Sequence, residues 1–403
     1  MGLSVQKATR EQTKRHNSRL VLKTIYDRDP VSRADIARAT RLTRTTVSAL
    51  VGDLMQQGLV EEIGCGPSEG GKPPVLLRVV DDSRHVIGMD LASDEFHGAV
   101  VNLRGEIRHR FSLPLRSRDG QTALSLLYEL VDSLLAATER PLLGIGIGTP
   151  GLIDPVKGEV RQAVNLDWRD LPLRMLLQER YGLPVYVAND CQVAALAEYN
   201  FGIGPETGSL VVIKIERGVG AGIVLDGRLF HGDNFGAGEI GHISVVENGE
   251  VCRCGHRGCL ETVASVKSII RQARAIARND PSSLLHRYSA DPEAISMDVV
   301  RQAVEAGDKA VGQLVRRAGR FLGMIAASLV AVLSVRHILI AGSITCLGDM
   351  LLNAIREEMI GRSLAAVATQ TEVAMSAIGP DIVNLGASAL VLTHELGLLP
   401  ALM

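Results

Sequence analysis

The chain opens with three short segments of helical periodicity separated by polar breaks. Each segment places apolar side chains at spacings of three and four, and the segments occupy residues 19–26, 32–40 and 43–58. Ser32 and Thr43 are suited to cap the second and third helices, because a short hydroxyl side chain accepts a hydrogen bond from a free amide of the first turn. Two apolar strands, 59–63 and 74–79, flank a glycine-rich loop. This order predicts a winged helix-turn-helix over residues 1–80.

From residue 85 the pattern changes to short apolar strands that alternate twice with longer helices. The first half contains strands at 85–92 and 142–151, and the second half has a strand pair around Gly218–Gly222. Such alternation predicts an α/β body of two similar lobes with a cleft between them. We expect lobe 1 at residues 81–190, with the C-terminal helix 385–403 returning to it, and lobe 2 at residues 191–384.

The third helix leaves polar side chains on its outer face at its N-terminal end. Arg44, Thr45 and Ser48 lie outside the apolar stripe, and their types suit contacts to base edges and phosphates in double-stranded DNA. Lys72, at the tip of the wing loop, is a fourth candidate for DNA contact. The alternative is a small helical bundle for protein contacts, in which these side chains are only solvated.

Charge is unevenly distributed along the chain. Residues 1–80 hold 13 Lys and Arg against 8 Asp and Glu, whereas the rest holds 30 against 37, within a total net charge of −2. A basic front on an acidic body favours a nucleic-acid-binding head. The longest apolar run, residues 321–335, is too short to span a bilayer, and no signal peptide is visible. We therefore expect a cytoplasmic protein with no membrane segment.

Three of the six cysteines fall within eight residues. Together with a nearby histidine they offer one imidazole and three thiolates, at His242, Cys252, Cys254 and Cys259. In a reducing compartment a tight cysteine cluster favours metal over disulfides, and this donor set predicts a structural Zn²⁺ site of closed tetrahedral geometry. His256 is a rival for the imidazole position, and a cluster without metal is the remaining alternative.

Five motifs together resemble the ROK family of sugar kinases and sugar-responsive repressors. They are GIGTPGLID at 146–154, ANDCQVAALAE at 188–198, GVGAGIVLDGRLFHG at 218–232, GEIGHISV at 238–245 and CRCGHRGCLE at 252–261. The resemblance covers about residues 15–395 and implies an actin/hexokinase-like body behind the winged helix-turn-helix. It also implies that the four metal candidates hold a Zn²⁺ ion.

The resemblance further implies a sugar site in the cleft. The matching positions are Asn189, Asp190, Glu239, His242 and Glu261, with Asn165 as a weaker candidate. His242 would use one ring nitrogen for the metal and direct the other at a sugar hydroxyl, so that the metal loop also holds the acids of the sugar site.

The phosphate-binding positions depart from the kinase pattern. The family kinases have Asp-x-Gly-x-Thr where this chain has Asp90-Leu91-Ala92-Ser93-Asp94, and Gly-Thr-Gly where it has Glu216-Arg217-Gly218. Glycine lets backbone amides approach a phosphate closely, and acids at these positions repel it. The sequence therefore predicts a regulator rather than an enzyme. The alternatives are a sugar kinase with residual or bifunctional activity, and a protein-interaction module.

The expected mechanism is control of operator affinity by a sugar effector bound in the cleft. We expect a homodimer or tetramer, because two winged heads match a palindromic operator in double-stranded DNA. The resemblance implies a repressor of sugar uptake or catabolism genes.

Overall fold

The N-terminal head is a winged helix in the computed structural model, which describes residues 9–67, 73–91, 94–115, 117 and 119–399. Its elements are α1 (Arg10–Asp27), β1 (Val31–Ser32), α2 (Arg33–Thr40), α3 (Arg44–Gln56), β2 (Val60–Cys65) and β3 (Val75–Val79). The three strands pair antiparallel in the order β1-β3-β2. The predicted winged helix-turn-helix is confirmed. Lys72 lies outside the described residues.

Side-chain caps begin the three helices of the head. Ser32 and Thr43 accept hydrogen bonds from Asp35 N and Thr46 N, as predicted. α1 begins nine residues before the predicted start, because Thr9 and Gln12 form a capping box there. A salt bridge of 2.7 Å from Lys14 to Asp53 further ties this polar first half of α1 to α3.

Lobe 1 of the body contains a five-stranded sheet and a smaller three-stranded sheet. Its elements are β4 (His85–Asp90), β5 (Glu95–Val101), β6 (Ile107–Pro114), α4 (Gly120–Ala136), β7 (Leu142–Thr149), β8 (Leu152–Asp154), β9 (Glu159–Ala163), β10 (Trp168–Leu171), α5 (Leu173–Tyr181) and β11 (Val185–Asn189); α6 (Asp190–Phe201) follows. The large sheet has the order β11-β7-β4-β5-β6, and β8–β10 form the small one. The sequence did not predict the small sheet.

Lobe 2 repeats the five-stranded architecture with the order β14-β13-β12-β15-β16. Its elements are β12 (Leu210–Ile215), β13 (Val219–Leu225), β14 (Arg228–Leu229), α7 (Leu260–Ala264), α8 (Val266–Asn279), α9 (Leu285–Tyr288), α10 (Met297–Glu305), α11 (Lys309–Leu333), β15 (His337–Ala341), α12 (Gly348–Arg362), α13 (Ala365–Ala368) and β16 (Glu372–Met375); α14 (Ile382–Val391) follows. The predicted two-lobed α/β body is confirmed.

α14 packs closely against α6 and the large sheet of lobe 1. A Cβ atom added at Gly146 on β7 would lie 1.9 Å from Ala387 O, and one at Gly386 would lie 1.7 Å from Val193 O. Glycine at both positions therefore allows the backbones to approach to contact distance. The apolar core of the head continues into the cluster around α6 and α14, so head and body share buried surface. Within the described ranges, no helix combines the length and apolar character needed to cross a membrane.

Candidate sugar cleft, metal loop and DNA-binding face

A cleft of about 490 Å³ opens where β11, the β12–β13 turn and the segment after β14 meet. The structure brings all six predicted sugar residues to its wall, namely Asn165, Asn189, Asp190, Glu239, His242 and Glu261. These residues come from both lobes. The cleft is large enough for a monosaccharide and carries several carboxylate and amide groups that can exchange hydrogen bonds with hydroxyls.

Asn189 and Asp190 stand at the junction of β11 and α6. Asn189 is the N-cap of α6, since its Oδ1 accepts from Cys191 N at 2.9 Å and from Gln192 N at 3.3 Å. Its Nδ2 donates to Gly151 O at 3.0 Å, which binds this junction to the loop after β7. Asn189 therefore fixes the position of Asp190 at the cleft floor, in addition to lining the cleft itself.

Lys214 is a cleft residue that the sequence analysis missed. Its Nζ donates to Asp190 Oδ2 at 2.8 Å, and the two side chains are only 5% and 10% exposed. Burial alone would lower the pKa of Lys214, but the carboxylates of Asp190 and Asp90 raise it above its ordinary value. The signal was available: a lysine in the middle of β12, whose six residues are all buried, requires a buried acid as partner.

Glu239, His242 and Glu261 form the opposite wall of the cleft. Glu239 precedes a short turn of 3₁₀-helix at Ile240–His242, and His242 Nε2 lies 3.8 Å from Glu239 Oε2. Burial raises the pKa of Glu239, and the charges of Asp190 and Glu261 raise it further. A Cβ at Gly218 would lie 2.8 Å from Glu261 Oε2, so glycine there keeps the space beside this acid open. Several acids thus share one small volume.

Asn165 reaches the cleft through a contact with the cysteine-rich loop. Arg253 Nη2 donates a hydrogen bond to Asn165 Oδ1, so the loop of lobe 2 is tied to the segment between β9 and β10 in lobe 1. Arg253, which also lines the cleft, is a second residue that the sequence analysis missed. The partners are 88 positions apart in the chain, and no local pattern indicates their contact.

The predicted metal group is assembled in the structure. The ligand atoms of His242, Cys252, Cys254 and Cys259 all lie within 4.8 Å of one another, so this group could hold a metal ion. Cys252 Sγ lies 3.7 Å from His242 Nδ1, and Cys254 Sγ lies 3.6 Å from Cys259 Sγ. Zn–S bonds of about 2.3 Å in a tetrahedron separate two sulfurs by about 3.8 Å, which these distances match.

The two nitrogens of His242 face different partners. Nδ1 faces the thiols, while Nε2 faces Glu239 in the cleft. This orientation fits the expected double use of the ring, with one nitrogen for a metal and the other for the sugar site. His256 Nδ1 also lies near the cluster, 3.5 Å from Cys254 Sγ, but His256 is not part of the four-residue group.

The residues at the positions of the kinase phosphate-binding pattern form hydrogen bonds within the protein. Arg217 Nη1 donates to both carboxylate oxygens of Asp94, at 2.6 and 2.8 Å, across the two lobes. The carboxylate of Glu216 accepts from the backbone N and from Oγ of Ser343, both at 2.6 Å. The expected repulsion by Asp94 is thus offset by Arg217, whereas Glu216 keeps an acid beside the turn. Ala92 and Ser93 lie outside the described residues.

The proposed DNA-contact residues of α3 do not take part in the apolar core of the head. Arg44, Thr45 and Ser48 are all exposed on the first turns of α3, beside buried Val47. Thr43 caps the helix by accepting from Thr46 N, so the N-terminal end of α3, which favours anions, lies beside these side chains. The side chains therefore lie together on one face.

Comparisons with known proteins agree with the fold. The ROK family matches residues 86–394, and the MarR family matches residues 17–68 within the winged head. The chain belongs to the ROK family.

Relatives of the full chain include transcription regulators and relatives of the body include kinases. The chain is 33% identical over 387 residues to a xylose repressor from Caldicellulosiruptor bescii, covering 95% of this chain and 97% of that protein. It is 35% identical over 318 residues to a glucokinase from Halalkalibacterium halodurans, covering 77% and 96%. The crystal structure of a ROK family transcriptional regulator, a homolog of the E. coli MLC protein, superposes with a TM-score of 0.82 at 29% identity, covering 96% and 98%.

Proposed function

We propose that the chain is a DNA-binding transcription regulator whose operator affinity is controlled by a sugar bound in the cleft, and that it acts as a repressor of sugar uptake or catabolism genes. The observation that carries this proposal is the union of a winged head with a ROK body in one chain, over nearly the whole length of a named xylose repressor. The functional parts are the head at 1–80, lobe 1 at 81–190 with 385–403, and lobe 2 at 191–384.

The sugar site consists of the acids and amides of the cleft. Asp190, Glu239 and Glu261 accept hydrogen bonds from sugar hydroxyls, Asn189 and Asn165 add amide groups, and His242 directs Nε2 into the same space. Lys214 holds Asp190 in place from behind. Because several acids converge, each hydroxyl of a ring can find an acceptor without moving the protein.

The metal group holds a structural Zn²⁺ ion. Its four donors leave no open position for water, which distinguishes a structural from a catalytic zinc site. The ion would fix the loop 252–259 against the turn at Ile240–His242, and thereby set the position of Glu239. The metal contributes rigidity to the sugar site and takes no part in chemistry.

A sugar kinase is the second candidate, because a glucokinase matches the body at 35% identity. The cleft argues against it on two counts. Glu216 brings a carboxylate to the turn where phosphate would bind. The ion pair of Arg217 and Asp94 also closes the two lobes together at this position. We therefore assign no catalytic residue.

DNA contact is assigned to Arg44, Thr45 and Ser48 on α3, with Lys72, between β2 and β3 in the sequence, as the fourth candidate. We propose a homodimer or tetramer in the cytoplasm that binds a palindromic operator in double-stranded DNA. The ends of α11 and α12 and the residue before α13 support an oligomer, because Val332, Ile360 and Leu364 are apolar and are 80%, 55% and 75% exposed.

Operator binding measured by fluorescence anisotropy tests the proposal. The probe is labelled DNA from upstream of the protein's own gene, titrated with xylose, glucose, N-acetylglucosamine and their phosphates, each with and without Mg-ATP. We expect one sugar to change operator affinity about 5- to 150-fold, and ATP to make no difference.

Glu239→Gln is the matched variant for the sugar site. It keeps the size of the side chain but removes a charge, so we expect it to retain operator affinity and to lose the sugar response. Glu247→Gln, in the same segment but outside the cleft lining, is the control. Sugar-dependent consumption of ATP, or an unaltered response in Glu239→Gln, would contradict the proposal.

A further inference from the structure

A second cavity, of about 170 Å³, lies at the junction of the head and the body. It is separate from the sugar cleft, and its lining combines Arg19 of α1 with side chains of lobe 1, the segment after β14 and the C-terminal segment. The residues on which the argument rests are Arg19, Arg174, Tyr186, His231, Thr393 and His394. An apolar cavity of about 150 Å³ is known to accept a benzene ring, so this volume fits one six-membered ring with small substituents.

One wall of the cavity is aromatic and rigid. The rings of Tyr186 and His394 are stacked, with centroids 4.4 Å apart and an interplanar angle of 6°. Tyr186 donates its hydroxyl hydrogen bond to Glu395 Oε1 at 2.5 Å, which fixes the ring. His394 lies within a π-helical turn, Leu392–Leu396, and such turns frequently mark functional sites. The pair therefore gives the cavity a preformed aromatic wall against which a flat ring can pack.

Two lining side chains carry polar atoms that have no partner. His231 Nε2 and Thr393 Oγ1 are both buried and form no hydrogen bond within the described structure. His231 Nδ1 lies 3.0 Å from Gln192 Oε1, an acceptor, so Nδ1 carries the ring proton and Nε2 is left as an acceptor. Buried polar atoms are rarely left unpaired, so an occupant with a hydroxyl group offers both of them a partner.

The charge of the lining is positive. It contains the guanidinium groups of Arg19 and Arg174 and no carboxylate. Arg19 Nη2 donates to His394 O at 2.5 Å and Glu395 O at 3.0 Å, and Arg174 donates to three backbone carbonyls, at Pro155, Val156 and Val185. The hydrogen bonds of both guanidinium groups go to backbone carbonyls, while the carboxylate of Glu395, beside the cavity, accepts from the Tyr186 hydroxyl. An anionic occupant can therefore pair with two guanidinium groups that have only carbonyl partners among the described residues.

We propose that this cavity is a second effector site, and that it takes a small aromatic carboxylate that also carries a hydroxyl group. The ring packs against the wall of Tyr186 and His394, the carboxylate faces the two guanidinium groups, and the hydroxyl pairs with His231 and Thr393. Because Arg19 belongs to the head and the other groups belong to the body, an occupant also changes how firmly the head is held. This second consequence rests on the proposed regulatory function, whereas binding itself does not.

Isothermal titration calorimetry of the full chain with 4-hydroxybenzoate tests the site directly. With about ten non-hydrogen atoms, this probe is expected to bind at one site per chain with a dissociation constant on the order of 0.1 mM. Benzoate lacks the hydroxyl, and 4-hydroxybenzyl alcohol lacks the charge. We expect benzoate to bind about 3- to 10-fold more weakly and the neutral alcohol at least about 10-fold more weakly.

Four variants test whether 4-hydroxybenzoate binds in this cavity. Thr393→Val removes the hydroxyl at nearly constant shape and is expected to weaken binding about 3- to 10-fold. Leu390→Trp fills the cavity and is expected to abolish binding, with thermal unfolding as the check that it folds. Ser125→Ala, an exposed change on α4, and Glu239→Gln, in the sugar cleft, are expected to bind the probe as the unmodified chain does.

Several outcomes would overturn the site. They are the absence of saturable binding, equal binding of the neutral alcohol, unchanged binding in a folded Leu390→Trp variant, and loss of binding in Glu239→Gln. Operator anisotropy with saturating 4-hydroxybenzoate then tests the second consequence. An operator affinity altered at least about threefold supports it, and an unaltered affinity overturns that consequence while leaving the binding site intact.

Discussion

At the scale of single residues, the buried pair of Lys214 and Asp190 is the strongest constraint in the sugar cleft. Each side chain is at most 10% exposed, and their contact is 2.8 Å. Removing one member leaves a charge in a poorly solvated position, which costs far more than the pair itself contributes. The pair thus fixes the position of Asp190 at the floor of the cleft, where its carboxylate can accept from a sugar hydroxyl.

Lys214→Met is therefore expected to lower the free energy of unfolding by about 3–5 kcal/mol. Adding Asp190→Asn removes the orphaned charge, so the double variant is expected to regain a substantial part of that loss. Denaturation by urea, followed by circular dichroism, measures both. A loss below about 1 kcal/mol in Lys214→Met, or a double variant less stable than the single one, would contradict the pairing argument.

The short motifs of the sequence pointed to residues that the structure places around one cleft, but the sequence analysis missed two cleft residues whose partners are distant. All six proposed sugar residues line one cleft, and the four metal candidates form one group. Lys214 left a signal, a lysine inside an apolar strand, but its partner Asp190 lies 24 positions away, and Arg253 left none because its partner Asn165 lies 88 positions away. A contact of this kind follows from the packing of whole elements, which local spacing does not encode.

At the scale of elements, the first turns of α3 present a surface suited to DNA. Arg44→Ala is expected to weaken operator binding about 10-fold without altering sugar affinity. If Arg44 contacts a phosphate, the slope of the logarithm of affinity against the logarithm of salt concentration falls by about one; if it contacts a base, the loss is confined to particular operator sequences. Anisotropy titrations at several salt concentrations separate the two.

Arg140→Ala is the charge-matched control for that experiment. Arg140 is exposed in the loop between α4 and β7 of the body, so its removal changes the net charge equally but leaves α3 intact. Equal weakening by both variants would show that only overall charge matters, and the assignment of α3 to operator DNA would be wrong.

The second prediction at the scale of elements concerns the cysteine-rich loop. With Cys254→Ser we expect the bound zinc to fall from about one ion per chain to near zero, because serine is a poor ligand where thiolates are preferred. The sugar response should weaken as well, since the loop positions Glu239. Elemental analysis after dialysis measures the metal. Cys346→Ser, an exposed cysteine outside the loop, should keep its zinc, and full zinc in Cys254→Ser would refute the ligand assignment.

The order of elements was predictable from the sequence, but not every boundary was. Periodic apolar positions and capping residues located α2 and α3, while α1 extends further because a capping box and a salt bridge stabilise its polar half. The sequence analysis missed the small sheet β8–β10 because its strands are only three to five residues long. Strands this short have too few positions to show an alternating pattern.

At the scale of the whole molecule, a continuous set of contacts joins the sugar cleft to the head. β11 ends at Asn189 in the cleft, and Tyr186 on the same strand bonds to Glu395 in the π-helical turn. The backbone carbonyls of that turn accept from Arg19 of α1. Arg104 of lobe 1 adds a second connection, since it donates to Tyr26 O at 2.7 Å and Asp29 Oδ2 at 2.6 Å. A displacement of β11 can therefore reach the head.

Arg19→Gln tests whether these contacts transmit the signal. The shorter amide cannot reach both carbonyls of the π-helical turn, so we expect the ratio of operator affinities without and with sugar to fall at least about threefold, while sugar affinity of the free protein is unchanged. Arg15→Gln, an exposed change on the same helix, is the matched control.

The coupling between the sugar site and the operator site is reciprocal. Operator DNA must therefore weaken sugar binding by the same factor in the unmodified chain, and by a smaller factor in Arg19→Gln. Calorimetric sugar titrations with and without operator DNA measure this factor, and an unchanged ratio in Arg19→Gln would assign the coupling to other contacts between head and body.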